Sequence, residues 1–275
     1  MNVLGVVGPS DSGKTALVER LTERLSAEGR VGTVKRMTHA PEVDTEGKDT
    51  ARHRAAGADV TYGLTDEEGW FATGEELSLA EALDRLAPDY DYALVEGFSE
   101  ARIPQLVLGG REHAGEALVE AETADDVDLD DVIDALSGTG PYVTLETLVA
   151  RAKRSPRADR AGAIATFTGR VRERDSEEDD PTEFLEFETY EGVAEERMRA
   201  IETELGARDG VYEVLSHHRT GVVASGEDIV FVVVLAGHRE EAFRTVEDGI
   251  NRLKDEVPIF KKEVTTDEEF WVHAT

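Results

Sequence analysis

The 275-residue sequence predicts two domains of different class: an α/β domain with a parallel sheet over residues 1–137, then an α+β domain over residues 141–275. Three observations carry that expectation. In the first half, short apolar runs alternate with segments of helical periodicity, the pattern of parallel strands joined by crossover helices. In the second half, strand-like runs dominate and only two amphipathic segments interrupt them. The length and the 40% apolar content allow two cores of ordinary size, and Gly138-Thr139-Gly140-Pro141 supplies a break between them.

Residues 3–7 form an apolar run that ends in a Gly-rich turn, after which Ala16, Leu17, Leu21 and Leu25 recur at helical spacing up to Gly29. The order reads strand, loop, helix. Further strands are expected at 31–34, 92–97 and 105–108, with a helix over 77–86. Between Glu112 and Asp134 stand ten acids and no Lys or Arg, yet Val127, Leu129, Val132, Ile133 and Leu136 keep the spacing of a short helix. That stretch reads as the edge of the first domain plus a solvated connection. The second half predicts strands at 163–167, 183–190, 211–216 and 229–235. Its helices are expected at 193–205 and 238–256, the latter with Ala242, Phe243, Val246, Ile250, Leu253 and Val257 on one face.

Sixty acids against 30 Lys and Arg give a formal net charge of −30, which argues against a general binder of nucleic acid or anionic membrane. Both halves share the excess, and the bases split into 23 Arg and 7 Lys, a bias that resembles proteins of salt-loving cytoplasm. No apolar run approaches the ~18 residues of a membrane helix, and the N-terminus lacks signal-peptide character, so a cytoplasmic protein is expected. With no cysteine, disulfides, thiolate metal sites, persulfide carriers and cysteine nucleophiles are all excluded.

Gly8-Pro9-Ser10-Asp11-Ser12-Gly13-Lys14-Thr15 fits G-x-x-x-x-G-K-[ST] between an expected strand and an expected helix, the context that gives this pattern its meaning. Glycines let the backbone wrap a phosphate with its N–H groups and the helix N-terminus facing the oxygens. Lys14 then neutralises terminal phosphates, and Thr15 can ligate Mg²⁺ with Glu96, at the end of the strand YALVE, on the metal side. The loop, Thr33-Val34-Lys35, the stretch Val43-Asp44-Thr45-Glu46-Gly47-Lys48-Asp49-Thr50, Gly57-Ala58, Leu94-Val95-Glu96-Gly97-Phe98 and Ile103-Pro104 together resemble the molybdopterin-guanine dinucleotide biosynthesis adaptor protein B family. The resemblance implies a P-loop NTPase-like domain whose ligand-side residues are Gly8, Ser10, Ser12, Gly13, Lys14, Thr15, Asp44, Lys48 and Asp49, with GTP as nucleotide and weak GTPase activity. After Lys35 this chain has Arg36-Met37-Thr38-His39-Ala40 where that family carries a histidine-rich run, and no N-K-x-D base-reading motif occurs.

In the acidic second half, basic residues stand beside expected strands: Thr168-Gly169-Arg170-Val171-Arg172, His217-His218-Arg219, Gly237-His238-Arg239, and Lys254 followed by Pro258-Ile259-Phe260-Lys261-Lys262-Glu263. Such a set suits a phosphorylated substrate, Arg offering planar two-point contacts and Lys a point charge. Lys262, one step from Lys261 on extended chain, reads as solvent-facing; Arg170 reads as a surface residue, Arg219 as an ion-pair partner or ligand, and the two histidines as core or surface.

These motifs, with Ala161-Gly162-Ala163-Ile164-Ala165-Thr166-Phe167 and Leu185-Glu186-Phe187-Glu188-Thr189-Tyr190, resemble the catalytic (large) subunit of molybdopterin synthase over residues 141–275. That resemblance implies an α/β hammerhead-like fold, homodimerisation, and a ubiquitin-like sulfur carrier whose C-terminal Gly-Gly thiocarboxylate enters the subunit. Matched one at a time, Lys254 and Lys261 are the implied catalytic lysines, and Arg172, His238 and Arg239 the implied contacts to cyclic pyranopterin monophosphate. A chain without cysteine must receive its sulfur from outside. The loop over 173–180 is more acidic than that family's and lacks its glycine. The first domain would serve the guanine dinucleotide stage, with the pathway's guanylyltransferase as a further partner, and no redox cofactor is expected. Two other functions stay open: a nucleotide-binding scaffold of the same pathway without sulfurtransferase activity, and a P-loop kinase of small molecules.

Overall fold

The computed structural model describes residues 1–39, 48–66, 69–174, 176, 179–190, 192–265 and 269–272, and the chain divides into units Met1–Tyr142 and Val143–Thr275. In the first unit the elements run β1 (Asn2–Val7), α1 (Lys14–Ser26), β2 (Val31–Lys35), α2 (Asp49–Ala55), β3 (Val60–Leu64) and β4 (Trp70–Gly74). They continue with α3 (Leu79–Leu86), β5 (Tyr92–Glu96), β6 (Gln105–Leu108), β7 (Ala117–Ala121) and α4 (Leu129–Ser137). Five strands form a parallel sheet in the order β2-β5-β1-β6-β7. Its central strands are continuous apolar runs because both faces are covered. On one face Leu4, Val6, Leu94 and Leu106 meet Leu17, Leu21 and Leu25 of α1 and Val132 and Leu136 of α4. On the other, Val3, Ala93 and Val95 pack with Leu83 of α3.

Two expectations are corrected here. The helix read over 77–86 begins at Leu79, because Ser78 caps it: its hydroxyl accepts from the Glu81 N–H while the Glu81 carboxylate accepts from Ser78 N–H. The acidic stretch after Glu112 holds the edge of the first domain and the short helix as expected, but in place of a solvated connection it supplies β7, which pairs in parallel with β6 at the sheet edge before α4 packs on the core. It looked like solvated connection because edge strands and helix outer faces carry the charge.

The second unit runs α5 (Leu145–Lys153), β8 (Ala163–Arg170), β9 (Thr182–Thr189), α6 (Val193–Gly206), β10 (Val211–His218) and β11 (Gly221–Ala224). After these come β12 (Asp228–Ala236), α7 (Arg239–Glu256), β13 (Ile259–Thr265) and β14 (Glu269–Val272). One antiparallel sheet has the order β10-β12-β8, and a second has the order β11-β9-β13-β14. Strand β12 lies in the middle with both faces buried, which is why it reads DIVFVVVLA without alternation. Val232 and Val234 face Ile201 and Leu205 of α6 and Val246, Ile250 and Leu253 of α7. Phe231, Val233 and Leu235 face Leu148 and Ala152 of α5. A smaller cluster of Val171, Leu185, Phe187 and Val223 lies on the second sheet. Among the described residues no helix is long and apolar enough to cross a membrane.

Candidate functional sites: a phosphate loop and a basic cavity

Strand β1 ends at Val7 in the middle of its sheet, and the chain turns through Gly8–Gly13 into α1, whose first residue is Lys14. Gly13 takes φ +85°, a left-handed conformation that favours glycine, and a Cβ there would stand 2.8 Å from Ala124 Cβ. The Ser12 hydroxyl donates to the Pro9 carbonyl at 3.0 Å. Lys14 Nζ donates to the Gly8 carbonyl at 3.0 Å and also to that of Pro9, so its ammonium lies along the inside of the loop. Ser10 is exposed on the loop.

Thr15 and Glu96 meet below the loop: Thr15 Oγ1 donates to Glu96 Oε1 at 3.0 Å. Lys35, from the end of β2, places Nζ 3.0 Å from Thr15 Oγ1 and 3.1 Å from Glu96 Oε1. A hydroxyl and a nearly buried carboxylate that together attract an ammonium are hard oxygen donors around a cation position, so these residues fit Mg²⁺. Lys48 caps α2 and Asp49 opens it, both exposed, with Asp49 paired to Arg52 at 3.5 Å in its own helix. Asp44 lies outside the described residues.

In the second unit a cavity of about 750 Å³ opens where β8, the second sheet and the end of α7 converge. Arg170, Arg172, Arg174, Lys254 and Lys261 line it, with Asp179, Asp180 and Glu263 as the acidic residues. Among the described lining residues, cations therefore outnumber acids in a chain of net −30. Arg172 follows β8 immediately after buried Val171. Lys254 occupies the last turn of α7, where the helix dipole favours a cation, next to buried Leu253. Lys261 sits on β13 opposite Phe187, and its Nζ lies 3.4 Å from Glu263 Oε2. Glu263 Oε1 in turn accepts from Thr182 Oγ1 at 2.6 Å, so the carboxylate is anchored from β9.

His238 and Arg239 do not join this cavity within one chain. His238 caps the N-terminus of α7 and Arg239 is its first residue, both exposed, while Lys254 is at the far end. At 1.5 Å per residue, Arg239 and Lys254 are about 22 Å apart along the axis. Sequence order alone hides this, because one helix carries both motifs.

The reading of Lys262 as solvent-facing also needs correction. It does point away from Lys261, but toward Glu186, its register partner on β9, at 3.8 Å, and the side chain is 20% exposed. Arg170 pairs with Asp228 at 3.0 Å, and Arg219 donates to the Asp228 carbonyl at 3.2 Å and lies 3.7 Å from Glu227.

Among the cavity residues missed as site residues are Arg170, read as a surface residue, and two others. Arg174 belongs to the acidic loop, where its sign was hidden among its neighbours. His218 was read as core or surface, yet it lines the cavity, with its ring edge-on to Phe187 at 4.9 Å between centroids. Burial holds its pKa below the ordinary histidine value, opposed by a hydrogen bond to the Arg219 carbonyl. Strand parity was the available signal: Val214, Ser216 and His218 share one face of β10, and Val214 packs with α6 and α7.

Comparison with known proteins places each half of the chain in a family. Residues 3–129 match the family described as molybdopterin guanine dinucleotide synthesis protein B, MobB, and residues 143–256 match the MoaE protein family. A probable molybdopterin synthase of Haloferax volcanii is 56% identical over 273 residues, covering 99% of each chain. The chain belongs to the family that joins MobB to MoaE. The phosphate loop thus lies in a MobB part and the basic cavity in a MoaE part, and the chain is a protein of molybdenum cofactor biosynthesis. Among solved structures, molybdopterin synthase from Staphylococcus aureus is 31% identical, covering 48% of this chain and 92% of that one, with a TM-score of 0.42. MobB of Bacillus subtilis is 30% identical, covering 50% of this chain and 100% of that one, with a TM-score of 0.39.

Proposed function

We propose that the MoaE part is a molybdopterin synthase catalytic subunit that installs two dithiolene sulfurs into cyclic pyranopterin monophosphate. The observation that carries this is the lining of one cavity by Arg172, Lys254 and Lys261 in a chain of net −30. A general anion attraction has no source on such a surface, so the cations act locally, on a ligand seated among them. The sulfur comes from a ubiquitin-like carrier, whose C-terminal Gly-Gly thiocarboxylate threads into the cavity, because the chain has no cysteine to hold it. Lys254 and Lys261 steer that anionic end and move protons as the cyclic phosphate opens, and Arg172 holds the phosphate. In a homodimer formed through the MoaE part, His238 and Arg239 of a second copy complete the substrate contacts, which agrees with their exposure at the far end of α7.

The MobB part binds GTP for the guanine dinucleotide stage, with weak hydrolysis, and works with the pathway's guanylyltransferase. Gly8, Ser10, Ser12, Gly13 and Lys14 would cradle the phosphates, Asp44, Lys48 and Asp49 would lie on the ligand side, and Thr15 and Glu96 would hold Mg²⁺. When bound, that ion supplies charge neutralisation at the phosphates; Lys35 must then move off the two oxygens it contacts.

Purified chain, thiocarboxylated carrier and cyclic pterin should yield the dithiolene product. Lys254→Ala should lower that yield by at least about 100-fold, the usual weight of acid–base catalysis, without changing the thermal melt. Unchanged turnover would remove Lys254 from the mechanism. Labelled nucleotide separates binding, hydrolysis and kinase activity by where the phosphate appears.

A further inference from the structure

A neighbouring backbone carbonyl sets the hydrogen-bonding direction of His218. Its Nδ1 lies 2.7 Å from the Arg219 carbonyl oxygen. A carbonyl only accepts, so Nδ1 carries the proton. The second nitrogen, Nε2, has no partner among the described residues, in a ring that lines the cavity. Burial lowers the pKa of the ring and so disfavours the imidazolium, and with the proton on Nδ1 the lone pair of the neutral ring is on Nε2. The remaining polar groups of the wall are charged, apart from the hydroxyls of Thr182, committed to Glu263, and Thr265. Apolar side chains share the wall with His218: Phe187 meets the imidazole edge-on, and Phe167, Ile229 and Val230 line the same cavity.

We propose that Nε2 of His218 accepts a hydrogen bond from a ring N–H of the bound heterocycle, so that the Phe167–Phe187–His218 wall receives the ring system while the Arg172, Lys254 and Lys261 side receives its phosphate. The assignment rests on the synthase reading above and adds an orientation for the substrate. A heterocycle with N–H donors next to a phosphate is the chemistry that a cavity with an imidazole acceptor beside aromatic rings and several cations elsewhere would select. Loss of the acceptor leaves a buried donor unpaired in the complex, which weakens binding of the ring without touching the carrier.

Three substitutions in the full chain separate acceptor from packing, with steady-state formation of the dithiolene product as the readout. His218→Phe keeps a ring and removes both nitrogens. His218→Asn keeps a donor near the place of Nδ1 and offers nothing at that of Nε2. His218→Gln puts an amide oxygen near Nε2. For His218→Phe and His218→Asn the KM for the cyclic pterin should rise at least about 10-fold, the equivalent of one such hydrogen bond, with kcat and the KM for carrier within about 3-fold of wild type. His218→Gln should stay within about 3-fold on all three. An unchanged pterin KM in His218→Phe and His218→Asn would overturn the inference, as would a fall in kcat alone or a loss of fold in all three variants. Those results would leave the synthase reading standing; absence of product from the wild-type chain with active carrier would instead remove that reading, and this inference with it.

Discussion

Glu202 on α6 shows how a single carboxylate can couple this fold to pH. Its Oε1 accepts from the Ser216 N–H at 2.5 Å and from the Ser216 hydroxyl at 2.8 Å. Burial raises its pKa above the ordinary value of 4.5, against those hydrogen bonds and the fields of Arg151 and Arg199. A folded-state pKa above the unfolded one means stability that is fully present below the unfolded value and lost as pH rises through the folded value. Glu202→Gln keeps the acceptor for Ser216 and cannot ionise. It should therefore be more stable than wild type at pH 7.5, with the difference shrinking toward pH 4; urea unfolding at both values checks this. A constant difference would mean that the carboxylate does not titrate on unfolding. Chemistry at this scale was legible only in part: Lys14, Thr15, Lys254 and Lys261 stand in motifs, whereas the role of His218 depends on a carbonyl direction that residue types do not encode.

At the scale of elements, the turn of the phosphate loop rests on left-handed backbone at two residues, Asp11 at φ +62° and Gly13 at φ +85°. Gly13→Ala forces a Cβ into φ +85° and to 2.8 Å from Ala124 Cβ, a backbone cost of about 1–2 kcal/mol before any contact. Nucleotide titration should show weakened binding and calorimetry a lower melt for the MobB part, while the sulfur transfer proposed for the MoaE part stays unchanged. Binding equal to wild type would show that the loop reshapes on nucleotide entry. Most strands and the long helices were readable because burial imposes periods of 2 and 3.6 on the chain. What escaped were α2, the β3–β4 hairpin, α5 and the strands β7, β11, β13 and β14. Helix α2 has seven residues and buries none of them, and the hairpin exposes Val60, Tyr62, Leu64 and Trp70, so neither leaves a core-facing stripe. Helix α5 buries only Leu148 and Ala152, a stripe too narrow to stand out.

Across the whole molecule, a net charge of −30 puts self-repulsion against every packed surface. The range of that repulsion falls from about 30 Å at 0.01 M salt to about 3 Å at 1 M. The melting temperature should accordingly rise by at least about 5 °C between 0.01 M and 1 M KCl, as followed by scanning fluorimetry. A flat profile would mean that ion pairs such as Arg208–Asp248 and Arg252–Glu204, weakened by the same salt, offset the relief.

The sequence by itself determined which chemistries were open: a phosphate loop from spacing and glycine content, no thiol chemistry of its own from the lack of cysteine, and a local basic site from cations kept against an acidic background. Only the tertiary structure decided which cations share a cavity. Arg172 and Lys261 share a cavity with Lys254 because β8 ends and β13 begins near the last turn of α7, whereas His238 and Arg239, at the start of the helix that carries Lys254, are held a helix length away. Proximity along a chain sets residue type and order, but helical rise and sheet register set distance, and chemistry follows distance.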